Sequence, residues 1–308
     1  MSLPHAVQIT EVGPRDGLQM ESRVLPTAEK LDLIAGLVSA GLKAIQVAAF
    51  VHPEKVPAMA DAEALVAALP RIDQIEYSAL TLNLQGVVRA CRTAIPWIEI
   101  SLSAHETHSR RNTGLSTGEA LSQSGPMSAK ALAAGRKVRA SIQCAFGYAE
   151  PGDVDTALVV ELSARLAGQG AHQLVLADTT GLAAPPTVRH LLDAILPVAG
   201  VVPVGLHLHD TRGLGLANVV TALEMGISHF DASLGGLGGC PFIQDAAGNI
   251  ATEDLIYLCQ RMGIETGLEM GRMAVLSRHL SKLFGRPLPG KLYRLGPAAM
   301  GSAPTEDV

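Results

Sequence analysis

Apolar positions along the chain fall into short strand-like runs at residues 6–12, 44–48, 75–80, 98–103, 138–146, 173–177, 204–209 and 229–233. Between them lie alanine- and leucine-rich stretches with helical spacing, at 27–40, 55–69, 84–93, 119–134, 155–168, 187–198 and 217–226, and another follows at 252–262. Eight strand–helix alternations in series predict one closed (β/α)8 TIM barrel, because parallel neighbours need a covering crossover helix. An open doubly wound sheet is the competing architecture, but no G-x-G-x-x-G follows the first run. Residues 265–283 add an amphipathic helix after the repeat is complete. The reading is a single catalytic domain over 1–308, with the barrel at about 5–262 and a C-terminal helical extension at about 263–300. The Ser-, Thr- and Gly-rich segment 105–127 reads as a mobile loop leading into a helix.

Composition narrows the class. Hydrophobic residues make up 48% of the chain and aromatics only 3%, so the core is expected to be filled by Leu, Val, Ile and Ala. A net charge of −5 gives no general attraction to nucleic acid or anionic lipid. No apolar run of membrane-spanning length and no basic leader is visible, and Cys91, Cys144, Cys240 and Cys259 form no C-x-x-C pair. These features predict a protein of the reducing cytoplasm, with no membrane or nucleic-acid partner.

The chemistry gathers where a barrel presents its active site, at the C-terminal strand ends. His207 and His209 lie two apart on the seventh run, so strand alternation turns both imidazoles to one face. They can grip one ion or simply hydrogen-bond. Asp16 follows the first run and Asn249 follows the eighth; with the two imidazoles they offer mixed N and O ligands to a divalent cation. Oxygen ligands favour Mg2+ or Mn2+, while imidazoles leave room for Zn2+, Co2+ or Fe2+. Asp16 reads equally as a turn residue before Gly17, and Asn249 as a helix N-cap. Arg15 is either a fixed cation for a developing oxyanion or a rim salt bridge. Cys240, reached through four glycines in 235–239, is either a packing thiol or a proton carrier on a closing loop. Gln46 ends the second run and Asp178 the sixth. The remaining cysteines read as buried thiols, and the other histidines as surface or core residues.

Three motifs, V-G-P-R-D-G-L-Q (12–19), H-L-H-D-T (207–211) and G-L-G-G-C-P with A-x-G-N-x-A-T-E-D-L (236–255), resemble the 3-hydroxy-3-methylglutaryl-CoA lyase family of metal-dependent barrel enzymes. Isopropylmalate and homocitrate synthases, in the same wider group, resemble D-G-E-Q at the first motif, where this chain has Leu18. The resemblance implies Asp16, His207, His209 and Asn249 as metal ligands, with Mg2+ or Mn2+ as cofactor. It also implies Arg15 polarising a thioester oxygen, Cys240 as acid or base, and Asp178 as an active-site acid. The implied reaction is retro-Claisen cleavage of an acyl-CoA to acetyl-CoA and a keto acid, in leucine degradation for the methylglutaryl substrate. A homodimer is expected alongside. Where the family carries I-E-T-T-S-F, this chain has I-Q-V-A-A-F at 45–50, which makes Gln46 the candidate specificity residue. No arginine stands around 119–123 where the family tends to offer one. Both departures predict a more apolar pocket with altered carboxylate recognition. Alternatives to the methylglutaryl thioester are therefore a citramalyl-CoA or longer-branched substrate, or Claisen condensation in the reverse direction.

Overall fold

The structure is a computed structural model that describes residues 3–239 and 248–295. Eight parallel strands close into a barrel in chain order: β1 (Gln8–Glu11), β2 (Ala44–Ala49), β3 (Glu76–Thr81), β4 (Trp97–Ser103), β5 (Lys137–Gln143), β6 (Gln173–Asp178), β7 (Val204–Leu208) and β8 (His229–Ala232). Closure is made by β1, which pairs with β2 on one side and β8 on the other. The expected barrel is therefore present, and α10 (Met270–Leu283) supplies the additional C-terminal helix. Among the described residues, no helix is long and apolar enough to cross a membrane.

Alternation along the strands sorts two interiors. Ile98 and Ile100, Val138 and Ala140, Leu174 and Leu176, and Leu206 and Leu208 belong to the aliphatic layer packed under helices such as α1 (Thr27–Ser39) and α7 (Pro185–Ala199). Each fully buried Leu or Ile there contributes about 1.5–3 kcal/mol of transfer free energy. The barrel axis differs: Gln46, Glu99, Ser101, Arg139, Ser141 and Asp231 are all buried and polar. An all-aliphatic core thus holds for the strand–helix layer but not for the cylinder's inside.

Local chemistry explains where the elements depart from expectation. The loop expected ahead of the helix at 119–134 contains a helix of its own, α4 (Glu106–Thr113), and the expected helix is α5 (Thr117–Ala133). A capping box starts α5: Ser116 Oγ accepts from the Glu119 amide while the Glu119 carboxylate accepts from the Ser116 amide. In place of one helix at 55–69 there is a short 3-10 turn, Pro57–Met59, with proline in its first turn where no N–H is needed, followed by α2 (Ala62–Ala68). Strand β5 stops at Gln143 because Cys144 turns the chain with φ +56°.

Two buried carboxylates fasten the turn after β8. Glu11 accepts from the amides of Gly13 and Leu234 and from the Thr252 hydroxyl, while Glu253 accepts from the Gly235 amide and from Ser277. Burial pushes Glu11 up to about 8 and Glu253 up to about 7, against the hydrogen bonds that favour their charged forms. Because both values are raised, the native state keeps protons that the unfolded chain releases above its ordinary carboxylate range. Their contribution to stability is full at acidic pH and is lost as pH rises through 7 and 8. Replacing Glu11 by Gln should therefore flatten the fall in unfolding temperature between pH 5.5 and 8.5, buffer values chosen to span about the two folded pKa values. Equal slopes in the variant and the parent, measured by calorimetry, would mean Glu11 is ionised throughout.

Candidate active site

The first site residues are placed by one π-helical turn, Gly13–Gly17, directly after β1. The Val12 carbonyl accepts from the amides of Arg15 and Asp16 at 3.1 and 2.7 Å, curling the chain so that both side chains hang over the barrel mouth. Glycine is required at 13, where a Cβ would come within 2.5 Å of Glu11 Oε1.

His207 and His209 project from the end of β7 as their spacing predicts, with their Nε2 atoms 3.1 Å apart. The chain at 248–250 returns beside them: the Asp210 amide donates to the Gly248 carbonyl and the Ile250 amide to the Leu208 carbonyl. That bridge sets Asn249 next to His209, and Asn249 Nδ2 donates to Asp16 Oδ2 at 2.8 Å and to the Leu237 carbonyl at 3.1 Å. The side chain caps no helix, because α9 (Thr252–Arg261) is N-capped by Ala251 without a side-chain bond. Gly238, with φ +126°, leaves room for this amide, since a Cβ there would lie 2.7 Å from Asn249 Nδ2.

The donor set fits a divalent cation. One ligand atom from each of Asp16, His207 and His209 lies within 4.8 Å of the others, the only such cluster among the described residues. Asn249 Oδ1 and His209 Nδ1 are buried without a hydrogen-bond partner, and the former is an additional oxygen donor beside the cluster. His207 Nδ1 hydrogen-bonds Asp231 Oδ2 at 3.1 Å, which orients the ring with Nε2 toward the cluster. Burial holds the His209 imidazole down to about 3, reinforced by the nearby His207 charge, so it is a neutral donor. Burial works to raise Asp16, but Arg15 and the two imidazoles outweigh it and bring the carboxyl down to about 2. Burial likewise opposes charge on His207, yet the bond to Asp231 and the charge of Asp16 prevail and raise it.

Behind the cluster runs a chain of buried polar groups. Arg15 donates through Nε to Gln46 Oε1 and through Nη1 to Asp16 Oδ1. Gln46 Nε2 donates to Glu99 Oε2 at 2.6 Å, and Ser141 Oγ donates to Glu99 Oε1 at 2.7 Å. Arg139 crosses the axis between Glu99 Oε2, 3.3 Å away, and Asp231. The arginine beside the cluster is thus connected to the carboxylate that orients His207.

The chain matches the HMGL-like family model over residues 6–280. It belongs to the HMGL-like family. It is 39% identical over 291 residues to the hydroxymethylglutaryl-CoA lyase YngG of Bacillus subtilis, an alignment covering 94% of this chain and 97% of that protein. A crystal structure of the Bacillus subtilis HMG-CoA lyase superposes with TM-score 0.91 at 38% identity, covering 96% of this chain and 99% of that one. An Acinetobacter baumannii HMG-CoA lyase, solved in complex with coenzyme A and 3-methylmalate, also gives TM-score 0.91, at 35% identity over 96% of this chain and 97% of that one.

Within this HMGL-like barrel the candidate residues separate by place. Arg15, Asp16, His207 and His209 line a cavity of about 350 Å³ at the mouth, and Asn249 stands beside it. Gln46 is fully buried under Arg15 and is not among the lining residues. Asp178 is also fully buried; its carboxylate accepts from the amides of Leu182 and Ala183, while its neighbours Ala177 and Thr179 face the cavity. Burial raises Asp178 to about 6 in spite of those two bonds. Cys240 lies outside the described residues, as do the last 13 positions, 296–308. Of the other thiols, Cys144 and Cys259 are buried as expected, whereas Cys91 is half-exposed.

The pocket is lined by polar and apolar side chains together. Glu99, Ser101, Ser141 and Gln143 line its inner end, and Ser101 Oγ has no hydrogen-bond partner. These four residues come from β4 and β5. Helix α4 adds His108 and Asn112 to the wall, the latter donating to Gln143 Oε1 at 3.0 Å. Alternation in W-I-E-I-S-L-S (97–103) carried the signal for Glu99 and Ser101.

Proposed function

We infer that this chain is a divalent-metal-dependent carbon–carbon lyase that cleaves 3-hydroxy-3-methylglutaryl-CoA to acetyl-CoA and acetoacetate. The observation that carries the reading is the convergence of Asp16, His207 and His209, with the unpartnered Asn249 oxygen and the Arg15 guanidinium beside them, in a chain 39% identical to a hydroxymethylglutaryl-CoA lyase. The four first-named side chains, two oxygen and two imidazole donors, would hold Mg2+ or Mn2+. When bound, such an ion supplies positive charge that acidifies the substrate's tertiary hydroxyl and stabilises the oxyanion left by proton loss.

The protein's own groups divide the remaining work. Arg15, buried and held from two sides, is a preorganised cation for the thioester oxygen on which enolate charge builds as the carbon–carbon bond breaks. Charge develops at one end of the breaking bond beside the ion and at the other end beside Arg15. Gly239 lines the cavity, and the next residue in the chain is Cys240, whose thiol we assign as the proton carrier to the enolate. Asp178 acts by holding the turn that carries Thr179 against the cavity. Gln46 bears on specificity through Arg15 and not by touching the acyl group. The CoA thioester is the small-molecule partner, and a cytoplasmic homodimer completes the proposal.

Incubation with 3-hydroxy-3-methylglutaryl-CoA and Mg2+ or Mn2+ should release acetyl-CoA and acetoacetate in equal amounts, with slower release from citramalyl-CoA. Absence of release with either ion, together with condensation of acetyl-CoA onto a 2-oxo acid, would reverse the assignment.

A further inference from the structure

Gln46 sits out of contact with solvent between a cation and an anion. Its Oε1 accepts from Arg15 Nε and its Nε2 donates to Glu99 Oε2 at 2.6 Å. A primary amide has one accepting and one donating end, so these neighbours admit only one of its two orientations. Turned over, the amide NH2 would face a guanidinium N–H and its oxygen would face a carboxylate oxygen. Arg15 and Glu99 therefore fix the same orientation of Gln46 from its two ends. Glu99 is itself fixed by Ser141 Oγ at 2.7 Å and by Arg139, whose Nη1 is 3.3 Å away, so it does not yield. The β2 carboxylate of the I-E-T-T-S-F motif is missing from this chain, and a carboxylate stands one hydrogen bond away on β4 instead.

We propose that Glu99 is a positioning residue for Arg15, acting through Gln46, and that positions 46 and 99 form an amide–carboxylate couple that needs one carboxylate, on either member. Two carboxylates would repel across a hydrogen-bond distance in a buried site. Two amides would leave Arg15 and Arg139 with less countercharge and free the Gln46 amide to turn. Exchanging the residues keeps the bonds from Arg15 through 46 to 99, because Glu at 46 accepts from Arg15 and from the NH2 of Gln at 99, at the cost of the Arg139 contact to that same end of residue 99.

The proposal rests on the lyase reading, and a four-protein cycle tests it on the Mg2+-loaded enzyme with 3-hydroxy-3-methylglutaryl-CoA. Gln46→Glu should lower kcat about a hundredfold and Glu99→Gln about tenfold, with KM moving by less than about threefold, since the loss falls on placement of a reacting group. The exchange variant Q46E/E99Q should return to within about tenfold of the parent, where independent effects would multiply to about a thousandfold loss. Crystal structures should show the Arg15 side chain displaced in Q46E and restored in the exchange variant. A product of the single effects, or an unmoved Arg15 in Q46E, would overturn the couple. Should Q46E fail to fold, adding it to E99Q must still leave kcat no lower than in E99Q, and a further fall would also overturn it. If the parent releases no acetyl-CoA, the lyase reading fails, while the position of Arg15 in the four structures still decides the couple.

Discussion

Acetyl-CoA release is expected to fall about a thousandfold or more on replacing His209 by Ala, because the charge stabilisation supplied by a catalytic cation is worth several kcal/mol and each 1.4 kcal/mol is about tenfold in rate. His209 is the cleanest ligand to remove. Asp16 also binds Arg15, Gln19 and Asn249, and His207 is tied to Asp231, so changing either would disturb the surrounding bonds. His209 contacts His207 through Nε2 and leaves Nδ1 without a partner. Its loss should therefore reduce Mn2+ affinity, read by calorimetric titration, with little effect on the unfolding temperature of the metal-free protein. Chelation of the parent should give the same loss, reversed by adding Mg2+ or Mn2+. Activity within about tenfold of the parent in His209→Ala would exclude this imidazole from the reacting centre.

The convergence of Asp16, His207 and His209 was legible in sequence because its main signal is local. A strand has period two, so His207 and His209 share a face whatever the rest of the barrel does, and the eight-fold repeat puts Asp16 and Asn249 near the same rim. Asn249 kept two readings until its neighbours were known: only the bridge to His209 turns its side chain toward Asp16 and away from the start of α9. Glu99 was visible as a polar residue alternating with Ile98 and Ile100, yet its meaning was not. That meaning lies in contacts between strands two apart in order, β2 and β4, which no pattern within one strand contains. Helix α4 was missed for a compositional reason: E-T-H-S-R-R-N-T has almost no apolar stripe, and its helix is held by the His105 side chain capping one end and Gly114 turning left-handed at the other.

Arg139→Met is expected to cost about 3–5 kcal/mol of stability, the range for stripping one partner from a buried ion pair, and at this chain size to lower the unfolding temperature by roughly 10 °C. Arg139 is 3% exposed and stands between Glu99 and Asp231, two carboxylates with almost no access to water. Burial opposes the charge on the guanidinium, but the two carboxylates outweigh it and raise its pKa, so the charged form is the native one. Methionine fills comparable volume and leaves both anions uncompensated, which separates the electrostatic loss from a cavity. Changing Glu99 to Leu in the same protein should recover part of the loss, because removing both members of a buried pair costs far less than removing one. Recovery should be incomplete: Asp231 would keep only its bond to His207, and Gln46 would lose the acceptor for its Nε2. A loss below about 1 kcal/mol in Arg139→Met, measured by reversible denaturant unfolding, would place this arginine with exposed ion pairs and remove the electrostatic link between the Arg15 and His207 sides of the site.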